Sequence, residues 1–190
     1  MHFIVIFGPP AVGKMSVGDE ITKLTDISVF HNHLSIEPVI RFFPFGSEPF
    51  VRLVDSFRLN MMHEVAQSEL PGLIFTFVWS LQEESDTNFL LELCKIFDDV
   101  DADISFVELK ADLDVRLIRN KTEKRLLEKA SKRNVALSER RLLENETEHQ
   151  MNSDGSIPLG YRHIVIDNSQ RTAEDVASEI IDVLSITRRG

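Results

Sequence analysis

The sequence predicts an α/β fold of three layers, a five-stranded parallel sheet with helices on both faces, and two observations carry that expectation. Five short β-branched or aromatic runs alternate with stretches of helical periodicity along the chain. The first run, Phe3-Ile4-Val5-Ile6-Phe7, leads through a glycine-bounded turn straight into a helical pattern. Strands that alternate with helices pair in parallel through right-handed crossovers.

The turn is Gly8-Pro9-Pro10-Ala11-Val12-Gly13-Lys14-Met15-Ser16, a Walker A or P-loop pattern in the strand–loop–helix context that this pattern requires. Gly8 and Gly13 permit backbone angles that a Cβ forbids, so successive N–H groups turn inward around a phosphate. The helix that follows, with Val17, Ile21 and Leu24 on one stripe, adds the positive end of its dipole. Lys14 adds a full charge toward the outer phosphates. All nine residues from Gly8 to Ser16 are therefore expected to bind nucleotide. Met15 stands where a Ser or Thr hydroxyl would hold Mg²⁺. Ser16 lies about 100° further round the helix, which suits an α-phosphate better than the metal. Magnesium is expected to complete its shell with waters or a residue from elsewhere, and no protein metal ligand is assigned.

The elements follow in order. Ile27 to His31 reads as a second strand ending in His31-Asn32-His33, and Ile36 to Phe45 is apolar but broken by Pro38 and Pro44. Phe50, Val54, Phe57, Met61 and Val65 then recur at helical spacing, predicting a long helix from Ser47 to about Leu70, with Arg52 and Arg58 off its stripe. Leu73 to Trp79 is an unbroken apolar run that fits a central strand covered on both faces. Asp86 to Phe97 is a helix, Ile104 to Leu109 a fourth strand, and Asp112 caps a helix carrying Leu113, Leu117 and Ile118. Ser138 to Gln150 is helical and His163 to Asp167 is the fifth strand. Thr172 and Asp175 open a last helix as an approximate capping box.

Composition narrows the function classes. With 190 residues and 43% hydrophobic content the chain suits one domain, residues 1–190, and its apolar runs are strand-length, so a cytoplasmic protein without membrane association is expected. Cys94 is the only cysteine and sits on an apolar helix face, an inert thiol. The net charge of −10 argues against a nucleic-acid partner. Ten of the 21 Lys and Arg nonetheless fall between Arg116 and Arg141, a local basic patch suited to a small polyanion.

This layout, with the motif Gly-Pro-Pro-Ala-Val-Gly-Lys-Met and Phe30-His31-Asn32-His33, resembles P-loop kinases of the nucleoside monophosphate kinase and shikimate kinase-like type. It is also similar to a bacterial group labelled AAA-domain or shikimate-kinase-like. The resemblance implies a P-loop NTPase fold with sheet order 2-3-1-4-5, ATP and Mg²⁺ as cofactors, and a basic lid at approximately 120–137. It also implies an acceptor-side helical insertion at approximately 34–70 and a place for Asn168 near the adenine. A carboxylate that shikimate kinases carry at the end of strand two is replaced by His31-Asn32-His33, so the acceptor expected is not shikimate.

Phosphoryl transfer needs alignment and charge neutralisation more than covalent help. Arg119, Arg125 and Arg133 are the basic-patch candidates for the phosphates, with Lys14 opposite; the alternative is a solvated helix paired to Glu123 and Glu128. His31 and His33 alternate on a strand and point apart, so one is a candidate for the acceptor's proton, and a satisfied backbone carbonyl is the other reading. Trp79 either stacks on a substrate or ends a core strand. The expected activity is an ATP-dependent transfer of the γ-phosphate to a small hydroxyl or phosphate acceptor; a monomer suits it, and the sequence leaves the oligomeric state open. The alternatives are a nucleotide-binding regulator or slow NTP hydrolase and, against the charge, a nucleic-acid end kinase.

Overall fold

The computed structural model describes residues 1–190. Five strands, β1 (His2–Phe7), β2 (Ser28–His31), β3 (Gly72–Phe77), β4 (Asp103–Lys110) and β5 (Arg162–Asp167), form one sheet in the order β2-β3-β1-β4-β5. Every pairing is parallel, and β1 lies in register with β3 through Ile4–Ile74 and with β4 through Ile4–Ser105. The helices are α1 (Lys14–Leu24), α2 (His33–Val39), α3 (Glu48–Ala66), α4 (Glu84–Asp98), α5 (Leu113–Asn120), α6 (Glu123–Glu128), α7 (Val135–Glu148) and α8 (Ala173–Val183).

Strand alternation divides the core in two. On one face Phe3, Val5 and Phe7 join Phe75, Met62 of α3 and Leu90, Leu93 and Phe97 of α4, and the Phe3 ring stacks on Phe97 at 3.9 Å. On the other, Ile4 and Ile6 join Val17 and Ile21 of α1 and Val176 and Ile180 of α8. Each such fully buried side chain is worth about 1.5–3 kcal/mol. Both faces of β1 and β3 are covered, which is why these strands read as continuous apolar runs.

Three local expectations are corrected. The buried stripe of α3 is Phe50, Val54, Arg58, Met62, Val65 and Ala66, so Arg58 belongs to it while Phe57 is 45% exposed. Burial follows the cleft and the sheet together, and an arginine satisfied by neighbours goes in where a phenylalanine was expected. The second strand ends at His31 and His33 starts α2, so the two histidines are not related by strand alternation. Asp112 occupies the N-cap position of α5 without a side-chain capping bond, whereas Thr172 does accept from the Asp175 amide at 3.1 Å.

Trp79 lies just past β3, fully buried, with its indole N–H donating to Thr87 Oγ1 at 3.1 Å; it is core. Cys94 is buried too, and desolvation pushes its thiol up to about 12. No helix is long and apolar enough to cross a membrane.

Candidate functional site

Beyond the carboxyl ends of the parallel strands, where open α/β sheets bind ligands, lies a cleft of roughly 1120 Å³. One end is bounded by the P-loop, α5 and the turn after β5, the other by α2 and α3, and the segment carrying α6 and a 3₁₀ turn at Ala130–Lys132 spans it.

The P-loop is wound by three positive φ angles, 134° at Gly8, 64° at Ala11 and 117° at Gly13. Ala11 is the informative one, since an L-residue enters the left-handed region only when its surroundings impose it. At Gly8 a Cβ would collide with the Leu109 carbonyl of β4, so close packing as well as φ requires glycine. Two side chains brace the loop from outside. Asn168, 2% exposed, donates from Nδ2 to Val12 O at 2.9 Å, and Arg119 donates from Nη1 to the same oxygen at 2.9 Å. Arg119 also donates from Nη1 to Asn168 Oδ1 at 3.1 Å and from Nη2 to Asn168 O at 2.8 Å. Both residues border the cleft, but these polar atoms hold the loop in shape.

Pro10 to Ser16 line the cleft; Gly8 and Pro9 lie beneath it and present carbonyls to Lys14, whose Nζ donates to them at 2.5 and 2.9 Å. Burial, then the charges of Lys129, Arg125 and Arg116, hold the Lys14 ammonium well below the usual lysine range. Met15 is 8% exposed at the start of α1, and Ser16 is the hydroxyl beside it.

Facing the P-loop, Arg125, Lys129 and Lys132 enter the cleft together. Desolvation lowers all three, and the charges of neighbouring cations lower Lys132 further and Lys129 to about 7. Arg133 does not join them. It is exposed and donates to Leu126 O at 3.2 Å, because residues adjacent on a tight helical turn point in different directions. Lys129 and Lys132, not singled out from the sequence, occupy the place expected for it. Arg116 is 2% exposed and paired to Glu146 at 2.5 Å, a structural ion pair.

The segment that spans the cleft is fastened at both sides. Glu37 of α2 accepts from Ser131 Oγ at 2.6 Å and Ser131 N at 3.2 Å, and Lys124 meets Asp19 of α1 at 2.7 Å. His33 Nδ1 lies 3.0 Å from the same Glu37. Burial and the Lys129, Lys132 and Arg125 charges push His33 down to about 2, so this is a hydrogen bond from a neutral imidazole. His31 is half-buried, also lowered chiefly by burial, with Nδ1 unpartnered, and it lies outside the cleft lining. Glu37 sits in an unremarkable apolar stretch, and only tertiary contact exposes its role.

At the end bounded by α2 and α3, Arg58 is 6% exposed and donates from Nε to Ser35 Oγ at 3.0 Å, from Nη1 to Asp55 Oδ1 at 3.1 Å, and from Nη2 to Asn32 Oδ1. Asp86, from the first turn of α4, accepts from the Ser80 amide at 2.9 Å and is raised by burial. A second buried acid, Glu108 at the end of β4, binds Ser153 N at 2.8 Å, Asn152 Nδ2 at 3.0 Å and His163 Nε2 at 3.0 Å. It pins the segment that brings Met151 to the cleft.

The chain offers magnesium no preformed cage, for no three acidic, His or Cys side chains are grouped to hold a metal ion. That donor set fits an ion that keeps several waters and is carried by phosphates.

No protein-family model matches the chain, and no curated protein matches its sequence. Solved structures do match in fold. A tunicamycin resistance protein of Deinococcus radiodurans superposes with a TM-score of 0.59 at 20% identity, over 100% of this chain and 98% of that one. A sugar kinase of a Janibacter species gives 0.60 at 13% identity, over 98% and 96%. A gluconokinase of Sinorhizobium meliloti gives 0.58 at 14% identity, over 97% and 91%. With its sheet order, its P-loop and these neighbours, the chain has the fold of the P-loop kinases.

Proposed function

We propose that the protein is an ATP-dependent phosphotransferase that moves the γ-phosphoryl group to a hydroxyl or phosphate on a small molecule. One observation carries this reading: a cradle of main-chain amides and a set of half-buried cations, Arg125, Lys129 and Lys132, face each other across one cleft. Desolvated cations crowded together are costly unless a polyanion joins them. A triphosphate supplies that charge on the scale of this space.

The roles follow from placement. P-loop amides and Lys14 hold the outer phosphates, and the lid cations neutralise the charge that spreads over the transferring group, each such donor contributing about 10²–10³ in rate. The Glu37–Ser131 and Lys124–Asp19 contacts hold the lid down and exclude water. Magnesium, bound with the nucleotide, would add neutralising charge between phosphate oxygens. Asp86 is our candidate for the acceptor's proton: it borders the acceptor end without an ion-pair partner, and burial raises its basicity. His33, held neutral down to about 2 and bonded to Glu37, orients the lid contact instead.

Radiolabelled ATP incubated with pooled metabolites tests the proposal. Label should pass to an organic product with wild-type protein and not with Lys14→Ala. Release of inorganic phosphate alone, unchanged by any pool, would favour the slow hydrolase or regulator, a reading that Met15 and the lack of an acidic cluster keep in play.

A further inference from the structure

The acceptor end of the cleft is built unlike the phosphate end. Its wall is Ile36, Ile40, Phe45, Phe50, Val51 and Val54, contributed by α2, α3 and the loop between them. Ile36, Phe50 and Val54 form a small core of their own, separate from the two cores of the sheet. Phe45 is 67% and Val51 45% exposed, and the Phe45 ring sits 5.0 Å from Phe50, so the apolar surface continues out to the mouth. The cleft also has polar lining in Ser85, Asp86, Asn145 and Glu148, but Arg58, the cation on the same helix as Val51 and Val54, is already engaged. Arg58 is bonded to Ser35, Asp55 and Asn32 and packed 5.9 and 5.4 Å from the Phe77 and Phe89 rings.

A polyhydroxylated acceptor lying along this wall would turn one face of hydroxyls against hydrocarbon without partners, which costs more than it returns. An apolar skeleton would instead cover Phe45 and Val51, and the continuity of this wall with the P-loop places such a skeleton beside the transferring phosphate. Resting on the phosphotransferase reading, we infer that the acceptor is amphiphilic, a hydroxyl carried on a hydrophobic ring or chain. The hydroxyl oxygen bonds to the γ-phosphorus, the bond from that phosphorus to the β,γ-bridging oxygen breaks, ADP departs with the bridging oxygen, and the hydroxyl proton passes to Asp86.

Methyl-labelled protein titrated with 2-naphthalenemethanol or with glucose, in the presence of magnesium and a non-hydrolysable ATP analogue, tests the inference by NMR. The aromatic alcohol should shift the Ile36, Ile40, Val51 and Val54 methyls saturably, and glucose at equal concentration should not. The double variant Phe45→Ser/Val51→Ser, both positions being exposed, should keep its melting temperature and weaken the aromatic alcohol at least tenfold. Shifts from glucose as large as those from the alcohol, or none from either while the nucleotide still moves the Ala11 and Val12 methyls, would overturn the amphiphilic assignment and leave the kinase reading standing. A nucleotide analogue that moves neither Ala11 nor Val12 would remove the kinase reading, and the acceptor assignment with it.

Discussion

The two jaws of the cleft are built by opposite means. The P-loop works with main-chain amides, wound by Gly8, Ala11 and Gly13 and braced by Asn168 and Arg119. The facing segment carries side-chain cations, Arg125 on α6 and Lys129 and Lys132 in the turn that follows, and none of the residues of either element is buried. Its ties are few and polar: Ser131 to Glu37, Lys124 to Asp19, and Lys121 to Glu139 at 2.8 Å. The two ion pairs, both partly solvated, contribute about 0–1 kcal/mol each. One jaw is therefore a rigid part of the sheet's packing. The other opens at small cost, as a gate must, and opening also relieves the repulsion among Arg125, Lys129 and Lys132.

The largest expected effect comes from the charge that serves the rigid jaw: Lys14→Ala should lower kcat/KM about 10²–10³-fold in the transfer assay. Gly8→Ala should break the same jaw by shape alone, costing roughly 2–4 kcal/mol in denaturant unfolding, since the new Cβ meets strain and the Leu109 carbonyl together. A lid variant such as Glu37→Ala should leave global unfolding near wild type while amide exchange at 123–132 speeds up, with the latch weakened by about 1–3 kcal/mol.

The lid should also show in the pH dependence of nucleotide affinity. Lys129 of the nucleotide-free protein titrates at about 7. Below that pH it is already protonated when a polyphosphate binds. Above it, binding must take up a proton, so ADP affinity measured by calorimetry should fall as pH rises from 7 to 9, by up to about tenfold per unit. Lys129→Met should flatten this slope. Arg133→Ala, outside the cleft, should change the transfer rate by less than about twofold; a loss as large as that from Arg125→Ala would mean the lid presents a different face in turnover.

The P-loop was legible because its function is local. Glycine spacing, a preceding strand and a following helix dictate a phosphate cradle within nine consecutive residues, and the alternation of strands and helices dictates a parallel three-layer sheet. The sequence determined these without further help. It also marked Arg125 and the basic stretch, but not which of its cations turn inward. Lys129 and Lys132 do and Arg133 does not, a matter of how one short turn sits against α2.

Tertiary structure alone decided the rest. Asn168 braces Val12 across 156 positions of sequence, Glu37 meets Ser131 across 94, and Arg58 goes into the stripe of α3 because Asn32, Ser35 and Asp55 satisfy it there. A periodicity argument counts every arginine as outward because isolated burial of charge is prohibitive. Only the folded neighbours that cancel that cost reveal where the argument reverses.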